Sequence, residues 1–80
     1  MIDTNRMTDT NRMKIVIKLA EALSARNMTQ KQLAEITGIR PAAISELANN
    51  MRTTINREHL EKIADALGIE DVRDLIEFIR

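Results

Sequence analysis

Thr29-Gln30-Lys31-Gln32-Leu33-Ala34-Glu35-Ile36-Thr37-Gly38-Ile39-Arg40-Pro41-Ala42-Ala43-Ile44-Ser45-Glu46-Leu47 is the stretch that decides the fold of this 80-residue chain. Thr29 is an N-cap residue, and Gln32 stands three positions on, where its amide can return a hydrogen bond to the cap. Met28 and Leu33 stand at staple spacing, so three independent signals start a helix at residue 30. Leu33, Ala34 and Ile36 mark its inner face, and Gly38 supplies the left-handed residue that ends it, which predicts a helix over 30–37. Pro41 is favoured at a first helical position because an N–H there has no intrahelical partner to lose. Ile44, Leu47 and Ala48 follow at i, i+3, i+4, and Asn49-Asn50 closes a second helix over 41–49.

Outward from that stretch, residues 13–17 fit two periods. Met13, Val16, Ile17, Ala20 and Leu23 follow a helical repeat, while Ile15, Ile17 and Leu19 alternate as in a strand. The β-branched run Ile15-Val16-Ile17 favours a short extended segment, and Leu19-Ala20-Glu21-Ala22-Leu23 favours a helix over 18–26. Downstream, Met51 to Ile55 reads as loop. Asn56 then caps a helix stapled by Ile55 and Leu60, with Leu60, Ile63, Ala64 and Leu67 inward and Gly68 at its end. A last helix is predicted after Asp71 from the stripe Val72, Leu75, Ile76 and Ile79, with Phe78, the single aromatic residue, off that stripe. The N-terminus repeats Asp-Thr-Asn-Arg-Met, at residues 3–7 and 9–13, without an apolar face to stack. It reads as a polar leader over 1–13 ahead of one domain over 14–80, with an arm that reaches DNA through Arg6 and Arg12 as the alternative. The expectation is an all-α domain of five helices with a short extended N-terminal segment. Its core is expected to be Leu33, Ile44, Leu47, Leu60, Ile63, Leu67, Leu75 and Ile76, with Phe78 packed on the first helix in preference to a dimer contact.

Composition narrows the function classes. With 44% apolar and 30% charged residues the chain has the balance of a soluble globular protein, and its length leaves room for one small domain. It has no Cys and one His, so neither a disulfide framework nor a metal cage is expected, and His59 is expected on a solvated face. No apolar run is long enough to span a membrane, and Asp3, Asn5, Arg6 and Asp9 interrupt any signal-peptide pattern, so the expected location is cytoplasmic. A Gly-rich phosphate loop and a His–acid pair at useful spacing are both lacking; neither an enzyme nor a cofactor is expected. Twelve bases balance twelve acids, unevenly: residues 26–62 hold six bases and four acids, and residues 63–80 hold two and five, net −3. A nucleic-acid face is therefore expected in the middle of the chain, with the acidic end turned away from it.

Two short helices joined by a tight glycine turn, with a small residue at the fifth position and glycine at the ninth, form a helix-turn-helix. With Gln30 as position one, those residues are Ala34 and Gly38. Ala34 permits a close helix crossing, and the unit projects Arg40, Pro41, Ala42, Ser45, Glu46 and Asn49 as one face. The segments Thr29 to Glu35, Thr37-Gly38-Ile39 and Ile44-Ser45 resemble the Cro/cI-type, or XRE, helix-turn-helix family. The ending Leu47 to Asn50, then Leu60-Glu61-Lys62-Ile63 and Asp74 to Phe78, resemble its compact subgroup. The likeness spans roughly residues 14–80 and implies a five-helix, lambda-repressor-like DNA-binding domain that regulates transcription, usually by repression and as a homodimer on double-stranded DNA. It also implies phosphate contacts at Thr29 and Gln30, helped by the positive helix end. Base reading is implied at Arg40, Pro41, Ala42 and Glu46, with Ser45 and Asn49 at the margin, and backbone contacts at Asn50, Arg52, Thr53 and Thr54.

The base-reading face departs from a typical reader. Pro41 and Ala42 offer only apolar contact to a thymine methyl, and Glu46 repels phosphate unless it accepts from cytosine N4. Arg40 suits a guanine or a phosphate, and Arg52 and Arg57 suit phosphates or mere solvation. The alternative class is a helix-turn-helix module that binds protein, such as an antitoxin or antirepressor, with zero net charge and Glu46 in its favour.

Overall fold

The computed structural model describes residues 13–80. They form β1 (Lys14–Ile17), α1 (Leu19–Ala25), α2 (Gln30–Thr37), α3 (Pro41–Ala48), α4 (Arg57–Leu67), a 3₁₀ turn (Val72–Asp74) and β2 (Ile76–Ile79). The repeated leader lies outside the described residues except for Met13. Local signals act as the sequence predicts. Gln32 N–H donates to Thr29 Oγ1 at 3.1 Å while Thr29 N–H donates to Gln32 Oε1 at 2.9 Å, a complete capping box on α2. Gly38, at φ 75°, turns its N–H back to Ala34 O at 2.9 Å. Asn56 Oδ1 accepts from His59 N–H at the start of α4. Arg26 adds a tie the pattern does not announce: its guanidinium donates to Ala22 O and, 41 positions away, to Leu67 O, joining the C-terminal ends of α1 and α4.

The helices enclose one core in which Leu19, Leu33, Ile44 and Ile63 are fully buried. Ile17, Ala22, Leu23, Ala34, Ile39, Leu47, Leu67 and Leu75 complete it, with Leu60 and Ile76 half-buried against it. Ile36 departs from the expected inner face of α2 and is 59% exposed. The inward arc of α2 is centred between Leu33 and Ala34, and at about 100° per residue Ile36 stands about 110° around the helix from that centre, on the flank of Leu33 away from Ala34.

The C-terminal segment corrects the five-helix expectation: the described residues form four α-helices, and the predicted fifth is a 3₁₀ turn followed by a strand. Asp71 Oδ1 accepts from Arg73 N–H, as an N-cap should, but the helical geometry ends after Asp74. Ile76–Ile79 then pairs antiparallel with β1, in the register Lys14↔Ile79, Ile15↔Phe78, Val16↔Glu77 and Ile17↔Ile76. The cause is the partner. An extended Ile15-Val16-Ile17 leaves main-chain N–H and C=O groups that need a ladder, and the β-branched and aromatic Ile76-Glu77-Phe78-Ile79 supplies it. Leu75 alone of the predicted stripe is buried, while Val72 and Ile79 are exposed. Phe78 corrects a second expectation, since it stands 66% exposed on the ribbon and not against α1. Lys18 Nζ and Glu77 pair at 3.4 Å across the ribbon's other face.

Candidate nucleic-acid interface

The α2–turn–α3 unit is built from the core outward. Leu33 and Ala34 on α2 and Ile44 and Leu47 on α3 are buried, which fixes how the two helices cross. The turn is tightened by Thr37, whose hydroxyl donates to Leu33 O at 2.7 Å and accepts from Ile39 N–H at 3.2 Å. Burial of Ile39 then directs the chain into Arg40, the N-cap of α3, with Pro41 in the first turn. This leaves Arg40, Pro41, Ala42 and Asn49 exposed and Ser45 and Glu46 partly covered; helical spacing puts Ala42, Ser45, Glu46 and Asn49 on the side of α3 away from Ile44 and Leu47, with Arg40 and Pro41 at its N-terminal end. Asn49 Nδ2 donates to Ser45 O at 3.0 Å, which leaves its Oδ1 without a donor among the described residues, on an exposed residue.

At the start of α2 the capping box consumes the N–H groups of Thr29 and Gln32. Those of Gln30 and Lys31 have no intrahelical partner, because the ladder begins with Leu33 N–H on Thr29 O. The Thr29 hydroxyl accepts within the box and keeps its proton for donation. Thr29 is exposed and Gln30 partly so.

Two arrangements escape a reading of the sequence. The first is a bidentate ion pair: Arg52 Nε and its terminal nitrogen donate to the two carboxylate oxygens of Glu46, each at 3.0 Å. These hydrogen bonds hold the Glu46 carboxyl below the usual carboxylate range, an effect opposed by its partial desolvation and aided by the charges of Arg52 and Arg40. The recognition face therefore carries a carboxylate already matched by its own cation. Glu46 and Arg52 are six residues apart, with the chain reversing at Asn50, so no helical spacing rule brings them together. The second arrangement is at Asn50, in the left-handed region at φ 53°. Its Oδ1 accepts from Ile17 N–H at 2.7 Å and its Nδ2 donates to Ile17 O at 3.1 Å. The side chain expected on a phosphate is thus engaged by β1, and the loop from Met51 to Ile55 is anchored by it. Arg52, Thr53 and Thr54, on that loop, are exposed, and Arg52 and Thr54 border one hollow with Glu46.

Among the described residues there is no cluster of three or more His, Cys, Asp or Glu side chains suited to a metal ion. No helix among them is long and apolar enough to cross a membrane.

Comparison with known proteins fits this geometry. Residues 18–80 match the family described as the Cro/C1-type helix-turn-helix DNA-binding domain. The crystal structure of the transcriptional regulator VanUg, in its form II, superposes with a TM-score of 0.67 at 26% identity, over 84% of this chain and 87% of that one. No curated protein sequence matches the chain.

Proposed function

We propose, from the premise that this chain belongs to the Cro/C1-type helix-turn-helix DNA-binding family, that it is a transcriptional repressor that reads a specific duplex operator as a two-fold dimer. A DNA-binding regulator is what the family supports. Repression, the operator-reading residues, the dimer and a cytoplasmic location are our own reading. The observation that carries it is the exposure of Arg40, Pro41 and Ala42 at the first turn of α3, together with the N–H groups of Gln30 and Lys31 left without intrahelical partners at the start of α2. On a duplex, α3 enters the major groove N-terminus first while the positive end of α2 and the Thr29 hydroxyl meet a phosphate. Arg40 supplies charge to guanine or phosphate, the ring methylenes of Pro41 and the methyl of Ala42 meet thymine methyls, and Asn49 and Ser45 stand at the margin. Arg52, Thr53 and Thr54 approach the backbone from the loop. A helix this short reads few base pairs, so two copies on half-sites about one helical turn, ~34 Å, apart are required for useful specificity.

The Glu46–Arg52 pair favours a second reading, in which the same face binds a protein. A self-neutralised ion pair lowers attraction to a polyanion and suits a partner that carries its own matched charges. Enrichment of fragmented source DNA on the immobilised protein, at low and high salt, separates the two. Defined fragments retained at high salt support an operator reader, whereas no retention even at low salt removes DNA as the ligand.

A further inference from the structure

The polar groups of α3 are unevenly committed. Asn49 Nδ2 donates to Ser45 O at 3.0 Å and to Ser45 Oγ at 3.4 Å. A carbonyl can only accept, so the amide has one possible orientation and its Oδ1 is the group left over. Glu46 lies three residues before Asn49 on the same side of the helix. Its two oxygens accept from Arg52 Nε and a terminal nitrogen, each at 3.0 Å, and each oxygen keeps a lone pair for a further donor. The paired bonds tie the carboxylate to a planar fork, so an otherwise flexible side chain is held in one arrangement before any ligand arrives. Arg52 donates to no other group among the described residues. The later half of the recognition face thus presents acceptors, the Glu46 carboxylate and Asn49 Oδ1, beside a Ser45 hydroxyl that serves either way. The cation Arg40 stands at the opposite end, as the N-cap.

We propose that Glu46 is the specificity-determining residue of this interface, its carboxylate accepting from the N4 amino group of a cytosine, and that Arg52 is the positioning residue that holds it for that contact. The proposal rests on the operator reading above and names the base that the middle of α3 selects. At the major-groove edge cytosine shows a single polar group, and it is a donor. Adenine sets an N7 acceptor beside its amino group, and guanine and thymine turn O6, N7 or O4 acceptors toward the protein, so each opposes a fixed carboxylate. A carboxylate on a swinging side chain could turn away from those acceptors. One clamped by Arg52 cannot, and so it rejects the wrong base instead of avoiding it. Hydrogen bonds from Arg52, the largest influence on Glu46, hold its carboxyl below the usual carboxylate range, which keeps it ionised and acceptor-only. The same cation offsets repulsion between Glu46 and the phosphates, and its remaining N–H groups suit a backbone oxygen, so base contact and phosphate contact meet in one side-chain pair.

The test is enrichment from a random-sequence duplex pool on the full chain, followed by fluorescence anisotropy with each cytosine of the enriched duplex replaced in turn by 2-pyrimidinone, which lacks only the amino group. The parent is expected to lose at least about tenfold in affinity at one cytosine. Glu46→Ala, which has no acceptor to offer, should lose less than about twofold at the same position; the altered base pair is common to both proteins, so the difference isolates the contact. Arg52→Lys keeps the charge and loses the fork, so its affinity for random duplex should stay within about threefold of the parent's while the penalty at that cytosine falls below about threefold. Both side chains lie at the surface, and circular dichroism of the two variants should match the parent. A full parental penalty in Arg52→Lys overturns the positioning role, because a merely structural arginine would change affinity and leave base discrimination alone. An enriched duplex in which no cytosine distinguishes the parent from Glu46→Ala overturns the proposal and leaves an operator reader standing. A parent that enriches no sequence removes the operator reading and the proposal with it.

Discussion

Asn50 holds Ile17 as a neighbouring strand would: its carboxamide accepts from the Ile17 N–H at 2.7 Å and donates to the Ile17 carbonyl at 3.1 Å, across 33 residues of sequence. The residue that follows the C-cap of α3 therefore also closes the edge of β1 at Ile17. Its φ of 53° is one that Asn adopts more readily than most residues, so backbone and side chain favour the same amino acid.

Asn50→Ala is expected to destabilise the domain by about 2–4 kcal/mol, because it orphans the Ile17 main-chain groups and places alanine in a left-handed conformation. Asn50→Gly relieves the backbone and keeps the loss of hydrogen bonds, so it should cost less. Urea denaturation of the two variants measures the difference. Equal midpoints for parent and Asn50→Ala would show that the bracket contributes nothing.

In the core, Leu47→Ala is expected to cost roughly 2–5 kcal/mol, a large share of the stability of a domain this size. Leu47 is buried beside the fully enclosed Ile44, and truncation leaves a cavity under the recognition helix. A thermal melt superimposable on the parent's would mean that α3 does not depend on this packing.

Gly38→Ala isolates the cost of the turn. A Cβ at Gly38 meets nothing within 4 Å, so space is available and only the backbone at φ 75° resists. The expected loss is about 1–2 kcal/mol, with Gly38→Asn losing less. A larger loss by calorimetry would point to a steric clash that the geometry does not contain.

Glu46→Gln releases Arg52 and removes a negative charge from the presented face. Affinity for random duplex is expected to rise, with the salt slope of log K steeper by about 1, while discrimination falls by about 1–3 kcal/mol at one base pair if the carboxylate accepts from cytosine. Arg52→Ala should weaken binding, since it leaves Glu46 unmatched. Because the hydrogen bonds from Arg52 depress the folded-state pKa of Glu46, the pair's contribution is complete above the ordinary carboxylate range and is lost only as pH falls through the depressed value. The ratio of affinities between Glu46→Gln and parent should accordingly be the same at pH 6 and pH 8. Fluorescence anisotropy at two salt concentrations reads all of these, and weaker binding by Glu46→Gln would favour the protein-partner reading.

The features legible in the sequence lie within a few residues of their own signal. The Thr29–Gln32 box, the left-handed Gly38 and Gly68, the Pro41 start and the Asn56 cap are local hydrogen-bonding and torsional preferences, so they survive without knowledge of the rest of the chain. The likeness of Thr29 to Ser45 to a helix-turn-helix rests on the same short-range features, and so does the exposure of Arg40 and Pro41. Tertiary structure alone decided the fate of Ile76–Ile79, whose apolar positions satisfy a helical stripe and a strand equally well. The choice fell to β1, sixty residues away, which offered main-chain groups that only an extended partner could satisfy. The expectation of an extended Ile15-Val16-Ile17 already contained that demand, because a single strand with no ladder is not a stable element. The same holds at the site, where the Glu46–Arg52 and Asn50–Ile17 pairings depend on how the chain leaves α3. Their energies are those of contacts between segments, and no periodicity within either segment encodes them.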